Sequence, residues 1–91
     1  MTYTPDDLPL IDTFEWDSKI RDLVPVKKRP EGGLVEGRLF VSAETGDGFA
    51  DYWGEFRGGY PYIDPALEAW AEERGMYWEW DNPAIIVLYV K

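Results

Sequence analysis

The sequence predicts an α+β fold: a single domain (1–91) in which two helices pack on a four-stranded antiparallel sheet, in the order α-β-β-α-β-β. Three observations carry this. Apolar residues recur at helical spacing in two stretches. They alternate with polar residues in two further pairs of stretches, each pair joined by turn residues. The 91 residues include five Trp, six Tyr and four Phe, enough apolar area for one core in a chain too short for two.

A helix is predicted over 12–24. Asp12 with Glu15 three residues on fits a capping box, and Ile11 with Trp16 fits a hydrophobic staple. Trp16, Ile20 and Leu23 follow at helical spacing, and Pro25 stops the run. Residues 25–33, with Lys27, Lys28, Arg29 and Pro30, read as a linker. A hairpin is predicted over 34–57, its strands 34–42 and 49–57 joined by a Gly-bearing loop. The second helix, 65–74, has the clearest punctuation: Asp64 as N-cap, Pro65 at the first helical position and Gly75 as the stop. A closing hairpin over 76–90 turns at Asp81, Asn82 and Pro83. Its last strand, 84–90, is apolar on both faces, which places it centrally in the sheet.

Alternation assigns the faces. Val35, Leu39 and Val41 share one face, opposite Glu36, Arg38 and Phe40. Met76, Trp78 and Trp80 point to the core, with Tyr77 and Glu79 outward. The solvent face is expected to mix carboxylates with Phe49, Trp53 and Tyr77.

Charge narrows function. Eighteen Asp and Glu stand against nine Lys and Arg, a net charge of −9. Direct binding to nucleic acid, or to an anionic membrane, is disfavoured because either needs a basic footprint. A basic protein would be attracted and steered. The chain has neither Cys nor His, so thiol chemistry, imidazole bases and ordinary zinc sites are excluded. Residues 1–10 do not read as a signal peptide, and the longest apolar run is too short to span a bilayer. A cytoplasmic, soluble protein is expected. No dinucleotide loop, P-loop or EF-hand pattern occurs, and no cofactor or metal is expected. Asp51 and Glu55, read on one strand, would lie roughly 13 Å apart, too far for a glycosidase pair. The protein is therefore read as a non-enzyme.

The acids are unevenly placed. Residues 41–91 hold ten acids and three bases, all ten acids falling between Glu44 and Asp81. Glu72 and Glu73 occupy the last turn of the second predicted helix, where the macrodipole disfavours anions. The candidate partner-binding set is Glu44, Asp47, Asp51, Glu55, Glu68, Glu72, Glu73, Glu79 and Asp81, with Trp53, Tyr60 and Tyr62 adding apolar contact. Carboxylates spaced along a strand can imitate a row of phosphates; the plainer alternative is an acidic surface that keeps a small protein soluble. Tyr60 and Tyr62 flank Pro61 beside Gly58-Gly59, either as a contact loop or as a strand-to-helix connection packed over the core.

The segments GEFRGGYPYIDP at 54–65 and WEWDNP at 78–83 resemble small proteins of phages and mobile elements. In size, acidity and lack of Cys the chain is similar in kind to anti-CRISPR and anti-restriction proteins. That resemblance implies a non-enzymatic inhibitor acting by DNA or RNA mimicry, whose acidic face occupies the basic channel of a nucleic-acid-binding defence complex in a host bacterial cell. An immunity protein or antitoxin capping a nuclease toxin uses the same physics. A third reading is a peptide-binding module, because residues 50–56 resemble the aromatic strand of an SH3-like barrel.

Overall fold

An apolar run with no polar face needs cover on both sides, and the sheet is organised around one. The computed structural model describes residues 3–45, 48–54 and 61–91. Its strands are β1 (Ile11–Asp17), β2 (Asp22–Lys28), β3 (Gly32–Val35), β4 (Arg38–Ser42), β5 (Ala50–Asp51), β6 (Tyr62–Ile63), β7 (Met76–Asn82) and β8 (Ile85–Val90). One α-helix, α1 (Pro65–Glu72), is present among the described residues. Strands β3, β4, β8 and β7 form a four-stranded antiparallel sheet in that order. β8 is internal, and Ile86, Val87 and Leu88 are buried in succession.

Helix α1 covers the inner face. Asp64 accepts a hydrogen bond from the Ala66 amide at 2.9 Å, Pro65 opens the helix, and Gly75 follows it at φ +69°. The buried side chains Leu67, Trp70 and Ala71 meet Leu39 and Val41 of β4, Trp78 of β7, and Ile86 and Leu88 of β8. Trp78 Nε1 donates to the Leu67 carbonyl at 2.8 Å, and the Trp70 and Trp78 rings stack at 6.0 Å. Arg74 donates to the Trp70 carbonyl at 2.8 Å, with its guanidinium 4.3 Å from the centre of the Trp70 ring. That cation partly offsets the anions of the last turn.

The N-terminal third departs from expectation. The helix predicted over 12–24 is a hairpin: β1 pairs antiparallel with β2 from Ile11↔Lys28 to Asp17↔Asp22. The segment is rich in β-branched and aromatic residues, which suit a pleated surface better than a helix. Asp17 makes the turn, its Oδ1 accepting from the Lys19 amide at 2.8 Å while Arg21 takes φ +54°. Pro25 is tolerated because the outer side of β2 pairs with no strand among the described residues. The predicted linker 25–33 is therefore mostly strand, and among the described residues the order α-β-β-α-β-β is replaced by two hairpins and the short β5–β6 pair preceding one α-helix.

The hairpin expected over 34–57 is also redrawn. β3 and β4 are joined by Glu36 and Gly37, both at positive φ, a two-residue turn of the kind that suits strand twist. This turn puts Val35 opposite Arg38, on the outer face rather than with Leu39. Within 49–57 the described strand is only Ala50–Asp51, paired with Tyr62–Ile63. Phe49, Ala50 and Asp51 are buried in succession, so alternation does not hold there. The 76–90 hairpin forms, but its turn is Pro83–Ala84 rather than Asp81–Pro83: β7 runs on to Asn82, opposite Ile85, with a register shift between Trp80 and Asn82.

Candidate protein-binding surfaces

Two surfaces stand out, one charged and one apolar. The charged one wraps the β7 side of the sheet. β7 is a terminal strand, and α1 packs against it. Glu68 and Glu72 line a shallow cleft with Met76, Tyr77, Trp78 and Lys91. Glu79 lies on the outer face of β7, its Oε2 3.5 Å from the Tyr77 hydroxyl. Asp81 borders a second cleft with Val35, Glu36, Arg38, Val87 and Tyr89. Tyr77 and Tyr89 sit side by side with ring centres 5.9 Å apart, and Arg38 lies over Tyr89.

The predicted site residues distribute as follows. Glu44, Glu68, Glu72, Glu73, Glu79 and Asp81 are exposed. Glu72 pairs with Lys91 at 3.5 Å and Glu73 with Arg74 at 3.7 Å, both in solvent and both weak. Glu44, Glu68, Glu79 and Asp81 form no ion pair among the described residues. Asp51 is the exception: it is buried, because the two-residue β5 is enclosed rather than laid on a solvent face. It is not available to a partner. Tyr62 is half-buried in β6, opposite Asp51. Trp53 is 62% exposed, edge-on to Tyr52 at 4.9 Å. Asp47, Glu55 and Tyr60 lie outside the described residues. Phe49, expected on the solvent face, is buried. The acids thus occupy two sides of one sheet edge, the outer side of α1 and the outer face of β7, rather than a single plane.

The apolar surface was not anticipated. β1 and β2 pack almost solely on each other and project as an arm from a molecule measuring 44 × 25 × 21 Å. One face of the arm carries Phe14 opposite Pro25 and Trp16 opposite Leu23. Phe14, Trp16, Leu23 and the turn residue Ile20 are each 57–64% exposed. Asp12 and Lys27 close the face at its root with a 2.9 Å ion pair. The signal was in the sequence: Phe14 and Trp16 two apart, then Leu23 and Pro25 two apart, around a turn-forming Asp17.

A cleft of about 340 Å³ is lined by Tyr3, Leu39, Met76, Leu88 and Tyr89 with Arg38 as its one charged side chain. No carboxylate reaches it, so it supplies no acid–base pair. Among the described residues no group of His, Cys, Asp and Glu is placed to hold a metal ion, and no helix is long and apolar enough to cross a membrane. In comparisons with known proteins the chain matches no family model, no curated protein and no solved structure.

Proposed function

We propose that the protein is a small acidic binder that inhibits a basic nucleic-acid-binding protein by occupying the surface meant for DNA or RNA. The supporting observation is the run of exposed carboxylates around the β7 edge, among them Glu68, Glu79 and Asp81, which form no ion pair among the described residues although Lys91 and Arg38 line the neighbouring clefts. Glu79 and Asp81 lie two residues apart along β7, with Asp81 at the register shift, so strand rise sets at most roughly 7 Å between them, a separation that neighbouring backbone phosphates also span. Tyr77 and Tyr89 beside them offer flat apolar area where nucleobases or sugars would otherwise lie.

Charge of this kind acts mainly on encounter. Immobilised protein should capture basic nucleic-acid-binding proteins from a bacterial lysate, and duplex DNA or RNA should displace them. Capture that persists unchanged in competing nucleic acid would overturn the mimic reading. With a captured partner purified, the triple substitution Glu68→Gln, Glu79→Gln and Asp81→Asn should lower the association rate about tenfold at low salt. Dissociation should change far less. The difference between variant and parent should shrink as the screening length falls to about 8 Å at physiological ionic strength. An effect confined to dissociation would assign these residues to short-range contact instead.

A further inference from the structure

The arm gathers the exposed apolar side chains Phe14, Trp16, Ile20 and Leu23 on one hairpin, and its charge differs from that of the rest of the chain. Residues 11–28 contain four acids and four bases, net zero, while the remaining residues contain 14 acids and five bases, net −9. The acid-rich body attracts cations; the arm has no net charge for them to meet. It presents instead Phe14, Trp16, Leu23 and Pro25 on one face, with Ile20 at the tip.

We propose that this face docks against the same face of a second copy of the chain, forming an isologous dimer through the arms. Three considerations select this occupant. Two bodies of charge −9 repel wherever their acidic surfaces meet, and the neutral arm is the part of the surface that avoids this cost. In a molecule 44 Å long, arms stacked antiparallel hold the two bodies farther apart than the screening length of about 8 Å. An isolated two-stranded hairpin is also marginal in water, so a second apolar layer supplies the cover that the arm lacks.

The same physics restricts how the copies join. Edge-to-edge pairing is guarded, since β1 carries Asp12, Glu15 and Asp17, and β2 carries Pro25. The faces have no such guard, because the charged pair Asp12–Lys27 is internally neutralised. Phe14 and Trp16 each leave about 100–150 Å² exposed, and with Ile20, Leu23 and Pro25 one face offers roughly 500 Å². Two faces together reach about 1,000 Å², the lower limit of a specific interface, which corresponds to a weak dimer.

The test is sedimentation velocity of the full chain from about 1 µM to about 500 µM, where a dissociation constant of about 1–100 µM is read directly. A monomer–dimer equilibrium is expected, and raising salt should tighten it as repulsion between bodies is screened. Trp16→Glu and, separately on the facing strand, Leu23→Lys should each raise the dissociation constant at least tenfold. Their melting temperatures and near-ultraviolet spectra, dominated by the core Trp70 and Trp78, should stay those of the folded body. A monomer at every concentration overturns the proposal, as does a dimer that both substitutions leave intact or that loosens as salt rises.

Discussion

Replacing Trp78 with Ala should lower the melting temperature by about 15–30 °C. Buried aromatic truncations cost about 3–5 kcal/mol, and in a domain of this size each kcal/mol moves the midpoint by about 4–8 °C. Trp78 is the residue where α1 and the sheet join. Its ring stacks on Trp70, its Nε1 donates to the Leu67 carbonyl, and its own strand pairs with the buried β8. Removing the ring leaves a cavity under the helix and takes away the partner of Trp70 at once. Total stability for 91 residues is about 5–14 kcal/mol, so the loss is a large share of it. Trp78→Phe separates the contributions: it keeps most of the packing and removes the hydrogen bond, which is worth about 1 kcal/mol. Thermal unfolding followed by circular dichroism checks both. A fall of under about 5 °C for Trp78→Ala would mean that α1 is held by something other than this cluster.

Trp78 also shows where the sequence was legible. Met76, Trp78 and Trp80 alternate with Tyr77 and Glu79, and the structure keeps that sorting, with Trp78 buried and Tyr77 and Glu79 exposed. Asp64, Pro65 and Gly75 bracket α1 because capping and φ restriction are local effects that packing did not need to override. In 12–24 two local signals competed. Asp12 and Glu15 imitate a capping box, yet each carboxylate pairs across the hairpin, Asp12 with Lys27 at 2.9 Å and Glu15 with Lys28 at 3.4 Å. Those partners lie 15 and 13 positions away, beyond any helical window. The decisive signal was period two in Phe14 and Trp16 and in Val24 and Val26, against which the helical spacing of Trp16, Ile20 and Leu23 was coincidental.

The candidate acids were legible for a different reason. Exposing a carboxylate costs nothing, so Glu44, Glu68, Glu72, Glu73, Glu79 and Asp81 needed no tertiary information to be placed at the surface. Asp51 did need it. Its burial follows from β5 pairing with β6 across a long connection, and alternation along 49–57 could not reveal that. The exposed aromatics of the arm were hidden by the opposite default, that Trp and Phe go inside. A projecting hairpin has no inside beyond its root, where Ile11 is 4% exposed.

Gly32→Ala should destabilise the fold by about 3 kcal/mol, the upper range for overpacking, whereas Gly33→Ala should cost under about 1 kcal/mol. The neighbouring glycines differ in what a methyl group meets. At Gly32 it runs into the carbonyl oxygen of Phe40, which is backbone of the paired strand β4. That oxygen cannot retreat without opening the β3–β4 ladder, where Gly32 lies opposite Val41 and the Ser42 amide donates to the Glu31 carbonyl at 2.8 Å. At Gly33 the methyl lies 2.9 Å from Cε2 and Cζ of Phe40, the far end of a side chain on the outer face. A half-buried ring can turn aside by rotating about its side-chain bonds, and the lower conformational entropy of unfolded Ala offsets part of the cost. The site matters beyond stability because β3 is where the arm returns to the body: β2 ends at Lys28, and Arg29 Nε donates to the Leu8 carbonyl at 3.0 Å just before β3 begins. Chemical denaturation of both variants measures the difference, and amide hydrogen exchange locates it. Gly32→Ala should raise exchange across β3 and the adjoining half of β4 while leaving α1, β7 and β8 protected. Equal destabilisation by the two substitutions would show that the Phe40 ring, not its carbonyl, fixes the approach of β3 to the sheet.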